Sequence, residues 1–220
     1  MKFINYSENC GKFNMDFDER LLNESILHQN KEPIFRLYGW KPACISLGRN
    51  QKDNFVDKNL LKKYNIDIVR RLTGGRALLH DKELTYSFVG PFNCLQNGES
   101  VKESYKEISQ ILIEIFKELN IDLNLGGTKH INTKFDYCML ISTGADLCWN
   151  DRKFIGSAQC RKNGYILQHG SILFDYDKKL LEELFKEEVS TNSIVSLKEI
   201  NADLTLNYII ETTKNIIKKY

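Results

Sequence analysis

No segment of this 220-residue chain is apolar for long enough to span a bilayer, and the opening MKFINYSENCGKF has none of the unbroken hydrophobic length of a secretory signal. No membrane is expected as a partner, and the cytoplasm is the expected location. Charge of one sign is equally scarce. Thirty-one basic against 29 acidic side chains give a net charge of +2, too little to neutralise a phosphate backbone, so no nucleic acid is expected either. Four widely separated histidines offer no clustered ligand spacing, and no metal is expected. The six cysteines contain no C-x-x-C pair, and a chain that is 42% hydrophobic can bury a core without disulfides, which points to a reducing compartment. With no internal repeat, low-complexity linker or shift in composition, residues 1–220 are expected to form one domain.

Two periodicities are present. In MDFDERLLNESIL, Phe17, Leu21, Leu22 and Ile26 recur at helical spacing behind Asn14, a residue of N-cap type. PIFRLYGW and ACISLG, split by Lys41-Pro42, read as neighbouring strands, and Val56 to Tyr64 as a short helix. IDIVRRLTGGRALLH and ELTYSFVG again favour strands. Ser100 and Glu103 predict a capping box ahead of a helix whose stripe is Val101, Tyr105, Ile108, Leu112, Ile115 and Leu119. After a loop, LGGTKHINTKFD, strands are expected to turn at Asn150-Asp151 and at Asn163-Gly164, the latter a type I′ hairpin signal. KKLLEELFKE and LTLNYIIETTKNIIKKY close the chain as helices. The fold class is α+β, one large mixed and largely antiparallel β-sheet with flanking helices.

Three stretches have the residue types for chemistry. RRLTGGRALLH groups Arg70, Arg71, Gly74, Gly75, Arg76 and His80, where paired glycines let backbone N–H groups approach a ligand and the cations offer donors to an anion or carbonyl. A glycine-rich turn with solvated arginines would look the same. Lys153, followed by Phe154, Ile155 and Gly156, suits a partly desolvated ammonium beside a ligand or thiolate, or an exposed turn residue after Asn150-Asp151. In QHGSILFD, Gly170 interrupts an apolar strand as at a close backbone approach, and His169 fits either a pocket or a hydrogen-bonded core.

Three cysteines surround Lys153. Cys148 and Cys160 fall within strand-like runs and are expected to be packed. Cys138 ends the polar loop TKFDYC, where an accessible thiol would feel a nearby ammonium.

FRLYGW, SLGRNQ, RRLTGGRALLHDKELTYS, KFIGSAQ and LQHGSIL occur in the order seen in the biotin/lipoate ligase and octanoyltransferase superfamily, and the chain resembles that superfamily over nearly its whole length. Within it the resemblance is strongest to the cysteine-dependent octanoyltransferases that act on acyl carrier protein and the glycine-cleavage H protein. A cysteine upstream of RK-x-x-GSAQ, at the spacing of Cys138 from Lys153, is the acyl-thioester nucleophile in that branch. The ATP-dependent ligases share the lysine and lack the cysteine. A second transferase branch carries its nucleophile just before the HG motif, where this chain has Tyr165 to Gln168 and no thiol. The cysteine loop departs from the pattern, reading FDYCMLISTGADLCW in place of a CFDAP-like continuation.

The resemblance implies a single catalytic domain without a C-terminal accessory domain, acting as a monomer. It implies octanoyl transfer from octanoyl-acyl carrier protein through Cys138 to the lysine of H protein or another lipoyl domain, with Lys153 steadying the thiolate. Arg71, Gly74, Gly75, His80, His169 and Gly170 would line the acyl pocket, and no cofactor would be needed. Arg36, Lys41 or Arg49 would meet the acidic carrier. The alternatives are an ATP- and Mg²⁺-dependent lipoate ligase, an amidotransferase working between lipoyl domains, and a lipoyl-binding module without turnover.

Overall fold

Alternation along the strands decides what each face of the central sheet carries. The computed structural model describes residues 1–127, 136–140 and 144–220. Its elements are β1 (Lys2–Asn9), α1 (Gly11–Leu27), β2 (Ile34–Trp40), β3 (Cys44–Leu47), α2 (Lys58–Tyr64), β4 (Asp67–Arg70), β5 (Leu78–His80), β6 (Glu83–Pro91), α3 (Val101–Glu118) and β7 (Asn124–Leu125). They continue with β8 (Leu147–Trp149), β9 (Arg152–Lys162), β10 (Tyr165–Leu173), α4 (Lys178–Phe185), α5 (Leu197–Ile200) and α6 (Leu206–Ile217). Seven strands form the main sheet in the order β1-β2-β6-β10-β9-β8-β7, antiparallel except where β1 runs parallel to β2. The α+β class is as expected, but the sheet is not single. β4-β3-β5 make a separate three-stranded sheet, so β2 and β3, read as neighbours from sequence, lie in different sheets. Strand β1, the two-residue strand β7 and the helix α5 had no sequence expectation.

Successive side chains on a strand point to opposite faces. Phe35 and Leu37 on β2, Tyr86 and Phe88 on β6, and Ile166 and Ile172 on β10 share one face with Ile108, Leu112, Ile115 and Phe116 of α3 and Ile209 and Ile216 of α6. Each such side chain, fully buried, contributes ~1.5–3 kcal/mol. The α3 stripe holds from Ile108 to Leu119, while Val101 at its start is exposed. Ser100 accepts from the Glu103 N–H as expected, but the Glu103 carboxylate turns to Lys106 and no capping box closes.

The opposite face is polar. The register aligns Arg36, Ser87, His169 and Ala158 in one row and Tyr38, Thr85, Ser171 and Gly156 in the next. Covering this face are α1 and the small sheet, whose own core joins Ile45, Leu47, Leu61 and Leu79 to Leu181, Leu184 and Phe185 of α4. Helix α1 starts at Gly11, earlier than Asn14 suggested. The Asn14 side chain caps nothing: it donates to Gly39 O (3.0 Å) and accepts from Arg36 Nη2 (2.7 Å), tying α1 to β2. Both predicted turns form. Asn150 and Asp151 have φ of 46° and 62°, Asn163 and Gly164 of 48° and 82°, the left-handed pairs of a type I′ turn. Most of the expected loop LGGTKHINTKFD, residues 128–135, and residues 141–143 of the cysteine loop lie outside the described residues.

Candidate active site

The polar face and the small sheet enclose a cavity of about 460 Å³, counting its open mouth. Cys138 stands in its wall, at the start of one turn of 3₁₀ helix, Cys138–Leu140. Three contacts fix that turn. The Cys138 N–H donates to Ala77 O (2.8 Å), Gln51 Nε2 donates to the Asp136 carbonyl (3.3 Å), and Glu187 accepts from the N–H groups of Asp136 and Tyr137. The Cys138 loop is thereby held by the SLGRNQ segment, by the end of the glycine motif and by the chain after α4.

Lys153 is not an exposed turn residue. It is 1% accessible, placed on β9 opposite Cys148, with its backbone bonded on the other side to Ser193 O and Val195 N. Its ammonium reaches Cys138 O at 3.1 Å, Cys138 Sγ at 3.9 Å and Asp146 Oδ2 at 3.1 Å. Burial opposes the charge on Lys153. The Cys138 sulfur and then the Asp146 carboxylate outweigh it, and the Lys153 pKa stands above its ordinary value. The amine therefore remains an ammonium, a fixed positive charge directed at sulfur. Gly156 makes room for it: an added Cβ there would lie 3.0 Å from Lys153 Cε.

Of the other residues read from sequence, Arg71, Gly75, His80, His169 and Gly170 line the cavity with Cys138, whereas Gly74 does not. Arg71 offers nothing to a ligand directly, because all five of its donors have protein acceptors. Nε donates to Thr73 Oγ1 (3.0 Å), Nη1 to Ser46 O and Oγ (3.0 Å each), and Nη2 to Gly74 O (2.9 Å) and Arg76 O (2.7 Å). It shapes the glycine loop from within. Gly75, at φ +92°, needs the left-handed backbone, and Gly48 lets the Gly75 carbonyl approach where any side chain would collide with it. Gly170 serves packing within the sheet, since an added Cβ would lie 2.6 Å from both Gly156 O and Tyr86 Cε1.

The same guanidinium orders both histidines. Ser46 Oγ and Thr73 Oγ1 each accept from Arg71, leaving their own O–H groups to donate to His80 Nε2 and His169 Nε2, both at 2.8 Å. Each ring then carries its proton on Nδ1, facing a buried carboxylate at 3.3 Å: Glu83 for His80 and Asp18 for His169. The His80–Glu83 contact, 3.3 Å, lies off hydrogen-bonding alignment. Burial lowers the His80 pKa more than Glu83 raises it. Burial raises that of Asp18, but hydrogen bonding from His169 and the charge of Arg36 outweigh it and the net shift is downward. Arg36 is itself buried, 2.8 Å from Asp18, and cannot greet a carrier, whereas Lys41 and Arg49 are exposed. Cys148 is buried and Cys160 partly so, as expected. The residues sequence reasoning missed are Asp146, Ser46, Thr73, Asp18 and Glu83. A signal for Asp146 existed: the hairpin at Asn150-Asp151 sets Cys148 opposite Lys153, which brings the residues just before β8 close to that lysine.

Residues 11–218 match the family model of the lipoyl protein ligase A/B catalytic domain. The chain is 39% identical over 206 residues to the octanoyltransferase LipM of Staphylococcus aureus, covering 89% of this chain and 72% of that one. To the octanoyltransferase LipM of Geobacillus kaustophilus it is 40% identical over 184 residues, covering 79% of this chain and 65% of that one. Among solved structures, protein Ta0514 of T. acidophilum with bound lipoic acid superposes with a TM-score of 0.74 at 19% identity, over 99% of this chain and 84% of that one, and shares the fold.

Proposed function

The chain belongs to the lipoyl protein ligase A/B catalytic-domain family, and on that premise we propose that it is an octanoyltransferase working through a Cys138 thioester. The donor is octanoyl-acyl carrier protein, and the acceptor is the lysine of a lipoyl-accepting protein such as the glycine-cleavage H protein. The observation that carries this reading is the contact of a buried, charged Lys153 with Cys138 at the wall of the cavity. The names of the two relatives support the same acyl chemistry.

The Cys138 thiolate attacks the donor carbonyl, the new C–S bond forms, and the carrier's phosphopantetheine sulfur departs and takes a proton from solvent. Nζ of Lys153 and its ammonium charge stabilise the sulfur anion and the oxyanion that precedes its departure. The acceptor amine then attacks the octanoyl-enzyme. An amide forms, the C–S bond breaks, Cys138 sulfur leaves with the electron pair, and the amine's proton passes to water. The first exchange is thioester for thioester and the second yields a more stable amide, so no ATP is required. Burying about seven methylenes at ~0.8 kcal/mol each gives an upper bound of roughly 6 kcal/mol for tail binding.

Incubation with octanoyl carrier protein without ATP should add one octanoyl group by intact mass. The adduct should be hydroxylamine-labile, absent from Cys138→Ser, and lost on addition of acceptor. Modification that demanded free octanoate, ATP and Mg²⁺ would establish a ligase, and a requirement for acylated H protein as donor an amidotransferase; either result sinks the proposal.

A further inference from the structure

We infer that Asp146 is a positioning residue of this site, whose carboxylate keeps Lys153 charged and aimed at Cys138 while the sulfur is held as a neutral thioester. The inference rests on the acyl-enzyme reading above. Asp146 is 2% accessible. One carboxylate oxygen meets the Lys153 ammonium at 3.1 Å, the other accepts from the Ser157 N–H (3.4 Å), and its carbonyl accepts from the Gly126 N–H (2.8 Å). Strand β9 and the end of β7 thus fix the carboxylate before any substrate arrives.

The charge balance changes during the reaction. As a thiolate, Cys138 helps neutralise Lys153; as a thioester it does not. At that stage Asp146 is, among the described residues, the carboxylate in contact with a buried ammonium, and its removal would lower the Lys153 pKa and favour release of the proton. The leaving sulfur of the second step would then meet a neutral amine, and release of the acyl group to the acceptor would slow. In the resting enzyme the effect has the opposite sign, because removing a negative charge beside the pair makes loss of the Cys138 proton easier. Among the described residues, the other titratable groups around this pair are Cys148 on β8, Arg71 beside the glycine loop, Tyr86 on β6, Tyr105 on α3 and Tyr137 before the cysteine.

The test follows Cys138 by peptide mapping after iodoacetamide treatment across pH, and the octanoyl-enzyme by intact mass after acceptor is added. In Asp146→Asn, alkylation should set in at lower pH, about tenfold faster at pH 6 than wild type, while the octanoyl-enzyme persists on the order of 100-fold longer. Asp146→Glu should restore both in part. A merely structural role would not move reactivity up and release down together. An alkylation profile unmoved or displaced upward, or an adduct that decays at the wild-type rate, overturns the inference. Should the Asn variant not fold, the wild type decides: after Cys138 is alkylated to a neutral thioether, the ¹⁵N shift of Lys153 Nζ near pH 8 should be that of an ammonium, and an amine shift refutes the role of Asp146. Wild type that takes no octanoyl group from the carrier would instead overturn the transferase reading, with the alkylation and nitrogen measurements still readable.

Discussion

Lys153 and Asp146 form a buried ion pair, and such pairs are costly to break from one side. Lys153→Met removes the ammonium and leaves the carboxylate in a buried place without its cation, so urea unfolding should show a loss of about 3–5 kcal/mol together with loss of octanoyl transfer. The double variant Lys153→Met/Asp146→Leu should regain most of that stability and none of the transfer, separating the two roles of one side chain. Cysteine illustrates the converse at this scale. Cys138, Cys148 and Cys160 are chemically identical in sequence, and what distinguishes them is position. Cys148 is closed into β8 and Cys160 is half-covered on β9, while Cys138 alone of the three opens onto the cavity.

Two turn glycines make the element scale testable. Gly48→Ala would drive a methyl group into the Gly75 carbonyl and displace the glycine loop. It should lower the melting temperature and also slow formation of the octanoyl-enzyme. Gly164→Ala, at φ +82° in the β9–β10 hairpin with open space around it, should cost about 1–2 kcal/mol of stability and leave adduct formation unchanged. Helices and hairpins of this kind were legible from local signals: the stripe of α3, and Asn-Gly between alternating strands. Sheet membership was not, because Lys41-Pro42 looks like a tight hairpin and in fact carries the chain from one sheet to the other. The helix start was misread because Asn14 has a capping residue's chemistry but spends it on β2. At the site, Cys138, Lys153 and the glycine motif were legible as residues; that every donor of Arg71 is internally committed was not, since Ser46 reaches it only through tertiary folding and the inward turn that aims the nearby Thr73, Gly74 and Arg76 at it has no separate signature in the sequence.

Across the whole molecule, the two sheets are joined through a buried polar layer, and that layer should set the acid limb of stability. Burial depresses the folded-state pKa of His80 below its ordinary 6.5, so the unfolded chain binds the proton more readily. The contribution is intact above about 6.5 and is lost as pH falls below it. Asp18, depressed from 3.8, behaves alike at lower pH, its stabilisation present above that value and lost as the carboxylate protonates. Chemical denaturation should therefore show stability falling in two stages on acidification, and His80→Gln should flatten the upper stage only. Equal slopes in both proteins between pH 6.5 and 5 would contradict this. The branching of Arg71 into two hydroxyl–imidazole chains has a mechanical corollary. One planar cation steers two rings, so a guest that nudges the loop cannot reorient one histidine and spare the other. The floor of the cavity answers as a single coupled unit, and adaptation to differently shaped acyl tails must come from its rim.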